Sequence, residues 1–238
     1  MAVTYTPKIQ WPDNGRRLQA KDYKIQVPTG LSDVHIREPN FVDVAAMAAR
    51  SKEHAVGQGS ALSIVNGLVT RDLDVTFANP DQQWKETSGS KTGPGQFQFQ
   101  GGEVFLELRL ALYVIQHVQP DPKDSISKQI FAEVYGHELL HVHDEVTLVE
   151  DFLPNDLKSD TDISNLLTRP YTYGSSKQTM VVAATEFREY VRKRIAGMVW
   201  NDHWATKTNE RARRRDAPEE YAKVQDRIDT LRVKQINR

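Results

Sequence analysis

The run VFLELRLALYVIQ constrains this chain most. Val104, Leu106, Leu108, Leu110 and Leu112 fall on one face of an extended backbone and Glu107 and Arg109 on the other, because side chains alternate across a strand. A helix would scatter these leucines around its circumference, so the middle of the chain is committed to a long strand. FQF and the turn-prone Gly101-Gly102 before it suggest a hairpin, and Pro120 and Pro122 end it. Immediately after comes a helical pattern, with Ser125 or Ser127 as its start and Ile130, Phe131 and Val134 as its buried side.

The flanks read as strands first and helices after. YKIQV before Pro28 has the composition of a short strand, and Asn40 that of a cap for a helix running from Phe41 to about Gly57. Asn66-Gly67 predicts a hairpin turn between two strands, since both residues tolerate positive φ. Asn79 to Gly95 reads as an exposed loop; its GSKT lacks the glycine spacing of a phosphate-binding loop. After the turn RPYTYGSS, a long helix is expected from about Gln178 to Trp200, then a polar link, then a helix from Pro218. The fold class is therefore α+β, as one domain over 1–205 and an appendage over 206–238. The appendage holds a basic link, KTNERARRRD, and an amphipathic helix whose Tyr221, Val224, Ile228 and Leu231 dock on the chain itself or serve a partner or self-association.

A formal net charge of −1 over 238 residues gives no reason to expect nucleic acid or an anionic membrane. There is no cysteine, which removes disulfides, thiolate-held metals and thiol nucleophiles. A metal would need histidine and carboxylate ligands. The N-terminus has no signal-peptide pattern and no stretch is apolar enough to span a membrane, so a cytoplasmic setting is the default, with export by another route left open.

The helix after the long strand carries YGHELLHVHDE, with three of the seven histidines. His137 and His141 are four apart, so on a helix they share one face about 6 Å apart along the axis, close enough to hold one ion. In HExxH the intervening Glu138 need not be a ligand. It takes the proton of a metal-bound water and passes it to the leaving amine, while the metal lowers that water's pKa and polarises the scissile carbonyl. Two histidines require a third ligand. Asp144 lies on the right face but about 7.5 Å along the axis from the midpoint of the pair, too far for a short carboxylate on an unbroken helix. It is assigned instead to supporting the site. His143 and Glu145 read as local helix residues.

Within the HExxH class, the stretch from HELLH through Tyr173-Gly174 to TEFREY resembles the zincin metallopeptidases of the glutamate-ligand type, and distantly the catalytic domain of anthrax lethal factor and the Pro-Pro endopeptidases. The resemblance implies a zincin-like fold with the long strand beside the HExxH helix and a helical C-terminal half. It implies Zn2+ held by His137, His141 and Glu186, Glu138 as base, and Tyr173, or Tyr171 in its place, as donor to the oxyanion. Aspartate-ligand zincins are disfavoured, because Pro170 stands where their ligand would precede Tyr173-Gly174.

The expectation is zinc-dependent hydrolysis of a peptide or protein, held along an exposed strand edge near Gln96 to Gly102. The alternative is a noncatalytic, metal-stabilised assembly or interaction protein of the same fold.

Overall fold

The computed structural model describes residues 3–11, 16–54, 66–79, 83–88, 95–173 and 180–237. It is a mixed α+β protein with a helical C-terminal half. Two compact units divide the chain: Met1–Lys8, Leu73–Leu108 and Leu148–Thr206 form the first, and Ile9–Asp72, Arg109–Thr147 and Lys207–Arg238 the second.

The predicted long strand is β6, Gly102–Ile115. Its alternating Val104, Leu106, Leu108, Leu110 and Leu112 are all at most 2% exposed. β1 (Val3–Gln10), β2 (Asn40–Val42) and β3 (Gly67–Phe77) each pair with it. β2 runs parallel to it, with Asn40 opposite Tyr113 and Val42 opposite Ile115.

In the first unit, β4 (Trp84–Ser88), β5 (Gly95–Phe99) and β7 (Tyr171–Tyr173) form a second sheet in the order β4-β5-β7. Phe77, Trp84 and Phe99 pack edge to face or tilted at 5.2 to 6.1 Å on the sheet's buried side. Two expectations change here. Strand β4 lies inside the segment read as a loop, and β5 is the central strand, so the supposed docking edge from Gln96 already has a partner on each side.

In the second unit, YKIQV is not a strand. α1 (Ala20–Tyr23) occupies its start, and Ile25 to Pro28 lies outside any helix or sheet. The residues after Asn40 begin as strand β2, and helix α2 (Val44–His54) starts only at Asp43, whose carboxylate accepts from the Ala46 N–H at 2.7 Å. Of the hairpin expected around Asn66-Gly67, the first strand lies outside the described residues. Gly67 opens β3 without positive φ.

Helix α3, Ser125–Thr147, carries the histidines. Asp124 caps it, accepting from the Ile126 N–H at 2.9 Å, one residue before the predicted serine. Phe131 and Tyr135 anchor its buried side, with ring centroids 5.4 Å apart, and the Tyr135 hydroxyl donates to the Arg37 carbonyl at 2.6 Å. No break follows His141; the helix ends in a π-type turn at Leu148–Phe152. The first unit continues with α4 (Leu153–Ser159), α5 (Thr161–Thr168), α6 (Met180–Met198) and a second π-type turn, Val199–Trp204.

The expected polar link is in fact helix α7, Ala205–Arg215, and α8 follows at Pro218–Ile236. Proline at its first position and Glu219 and Glu220 in its first turn suit that start. α8 packs along α3 within the second unit, with Ile228 of the predicted stripe 1% exposed.

Candidate metal centre

The two histidines of α3 converge as the i, i+4 spacing requires. Their ring centroids are 5.1 Å apart and their planes nearly perpendicular, at 80°. Both side chains are almost enclosed, 9% and 11% exposed. Each Nε2 points at one atom, Oδ1 of Asp216, at 3.4 Å from His137 and 3.1 Å from His141.

Asp216 sits between the end of α7 at Arg215 and the start of α8 at Pro218. Among the described residues, His137, His141 and Asp216 form the group that can hold a metal ion. The N···O separations suit such an ion. Around a tetrahedral ion with bonds of about 2.0–2.1 Å, neighbouring donor atoms stand about 3.3 Å apart. The two N···O separations bracket that value.

Burial opposes the charge on Asp216, yet the hydrogen bonds from His137 and His141, and their charges, hold its carboxyl well below the usual carboxylate range. It is therefore an anionic donor. Burial also disfavours a charged His141, but the Asp216 bond and the charges of Glu138 and Asp216 outweigh it and raise its pKa.

Glu138 points elsewhere, as a residue one step around the helix from His137 must. It is 5% exposed. Burial raises its pKa, partly offset by His141 and His137. Gly67 faces it so closely that a Cβ there would lie 2.5 Å from Oε1 and 2.6 Å from Cγ. The glycine read as a turn residue is thus needed for close approach, since only a residue without a side chain leaves room for this carboxylate.

Tyr221 of α8 completes the wall. Its ring stands edge-on to His137, with centroids 5.9 Å apart. Burial and the Glu138 charge raise its hydroxyl pKa, against a hydrogen bond from the Asn66 backbone.

The residues behind the site are tied together. Glu145, one turn beyond His141 and 3% exposed, pairs with Arg71 of β3 at 3.2 Å and accepts from Thr208 of α7. Asp144 takes two hydrogen bonds from Arg215, and its backbone carbonyl a third from Arg211 at 2.6 Å. Asp144, expected to support the site, holds Arg215, the neighbour of Asp216. His143 lies 3.5 Å from Asp144.

The residues named through the family resemblance stand differently. Glu186 is exposed on α6 in the first unit and is not a member of the metal-suited group; in the place expected for it the group has Asp216. Tyr173 ends β7, its backbone paired with Gly95, and Tyr171 pairs with Phe97. Asp216 and Tyr221 carry no sequence pattern that marks them for the site. Asp216 has no fixed spacing from HExxH and reads as a helix-boundary residue before proline, and Tyr221 was absorbed into the apolar stripe of α8.

Comparison with family models, curated proteins and solved structures finds no match. Among the described residues no helix is long and apolar enough to cross a membrane.

Proposed function

We propose that this protein is a zinc-dependent peptidase whose metal is held by His137, His141 and Asp216 and whose general base is Glu138. The observation that carries the reading is the convergence of both imidazole Nε2 atoms on one Asp216 oxygen beside a buried glutamate with a raised pKa. When bound, zinc would supply Lewis acidity, lowering the pKa of a water and polarising a carbonyl. Everything else falls to the chain. A carboxyl whose pKa burial raises suits Glu138 for accepting a proton and returning it to a leaving amine. Tyr221, kept protonated by burial and by the Glu138 charge, is suited to donate to a developing oxyanion. This gives Tyr221 the role that the family resemblance implies for Tyr173. The helix that bears Tyr221 also packs on α3, so the donor is carried on a rigid element.

The test is metal content together with a peptide-library digest of the full chain and of Glu138→Gln. The wild type should hold about one zinc and cleave, and Glu138→Gln should keep the zinc and lose at least about a hundredfold in cleavage. Zinc bound with no cleavage by the wild type would leave the noncatalytic, metal-stabilised alternative. Absence of zinc uptake would end both.

A further inference from the structure

A groove of about 1180 Å³ opens in the second unit beside the metal centre, with His137 in its wall. Its charge is unlike that of the chain as a whole. Lys24, Arg211, Arg214, Arg215, Lys223 and Arg227 line it. Three carboxylates face them, Glu133, Asp144 and Glu220, pairing with Arg227 at 2.6 Å, Arg215 at 2.9 Å and Lys223 at 2.5 Å. Six cations against three anions leave a surplus of three positive charges in the groove, on a protein whose formal net charge is −1. In a cleft such a surplus is focused rather than dispersed.

Two backbone features say what shape of ligand fits. Gln26 and Val27 are exposed in the groove wall outside any helix or sheet, Val27 is biased toward extended backbone by Pro28 after it, and among the described residues neither makes a backbone hydrogen bond. A wall of this kind offers main-chain donors and acceptors to an extended chain. Gly136 also lines the groove, next to His137 in the middle of α3, where a Cβ would meet nothing within 4 Å. A mid-helix glycine costs about 1 kcal/mol relative to alanine. No packing neighbour requires this one; it leaves the helix surface low where a ligand backbone would pass.

We propose that this groove seats an extended peptide bearing acidic side chains and leads it to the metal centre, an inference that names the substrate class of the peptidase reading and rests on it. The same surplus would attract nucleic acid less well. Among the described residues the lining has no Phe, Tyr or Trp for bases to stack on, and the interleaved carboxylates oppose a continuous phosphate chain while leaving gaps for separate acidic side chains.

The experiment uses full-length Glu138→Gln loaded with zinc, and fluorescent dodecapeptides alternating glutamate, glutamine or lysine with alanine. The glutamate peptide should bind at least about tenfold more tightly than the glutamine one at low salt, with the ratio shrinking as salt is added. Arg214→Glu, an exposed helix position, and Lys24→Asn, which suits the left-handed backbone of Lys24 at φ 57°, should each reduce the ratio without lowering zinc content. Equal binding of the glutamate and glutamine peptides overturns the proposal, as does tighter binding of a twelve-nucleotide oligothymidylate than of the glutamate peptide. The two levels separate cleanly. Glutamate preference without cleavage by the wild type upholds the groove and overturns the peptidase reading, whereas cleavage with no preference for glutamate does the reverse.

Discussion

Arg215 donates two hydrogen bonds to the carboxylate of Asp144, at 2.9 and 3.0 Å, and is the residue immediately before Asp216. The guanidinium fork fixes direction as well as distance, so an acid on the histidine helix sets where the acid of the α7–α8 junction stands. Burial works against an ionised Asp144, but the Arg215 bonds and charge, with His143 and Arg211, hold its pKa below the ordinary carboxylate value.

Asp144→Ala should therefore weaken zinc binding by about 10 to 100-fold, the usual cost of losing an outer support of a metal ligand. Arg215→Ala should cost a similar factor. The double variant should cost little more than either, because the two act as one clamp. Zinc titration of the three variants checks this, and full additivity would show that the clamp does not act through Asp216.

Asp216→Ala should lose more affinity than Asp144→Ala, since it removes a donor atom rather than its support. Glu186→Ala should bind zinc within a factor of a few of the wild type. The opposite ranking, measured by competition with a chromophoric chelator, would restore the ligand set implied by the family resemblance.

Gly67→Ala addresses Glu138, the proposed base, without touching a proposed metal ligand. The three atoms nearest the added methyl all belong to Glu138, which is 5% exposed and has little room to yield. We expect a loss of about 1–3 kcal/mol in stability from overpacking. Cleavage should fall toward the roughly hundredfold loss of Glu138→Gln, with zinc stoichiometry preserved.

What was legible in the sequence was what repeats with a period. The alternating leucines gave β6, and the i, i+4 histidines with their apolar flank gave α3 and the pair that faces Asp216. Elements carried by local chemistry were read less well. Asp43 rather than Asn40 caps α2, and KTNERARRR is helical because its stabilising contacts, Thr208 to Glu145 and Arg215 to Asp144, are tertiary. Asp216 was illegible for the same reason. Its partners lie 75 and 79 residues away, and no spacing rule reaches across such a gap.

Acid titration tests a tie in the first unit. Asp160 caps α5 by accepting from the Ile163 N–H at 2.8 Å and faces His203 Nε2 at 2.6 Å. Burial pushes its pKa up, but these bonds and the His203 charge prevail and hold it below 3.8. A depressed folded pKa contributes stability above the unfolded value that disappears as pH falls through the folded one. Asp160→Ala should cost about 1–2 kcal/mol at pH 7. Asp160→Asn, which keeps a capping oxygen, should cost less. The gap in melting temperature between wild type and Asp160→Ala should narrow below pH 3.8; a gap independent of pH would remove the ionic part of this account.

The 75 residues between His141 and Asp216 also set a clock. At about 5–20 residues per second, a ribosome that has delivered His141 needs roughly 4 to 15 s more to deliver Asp216. Through that interval the nascent chain has Glu138 and both imidazoles but not the acid that joins them. On the peptidase reading proposed above, a chain built in this order lacks one of its three metal ligands while most of its own unfolded sequence is within reach.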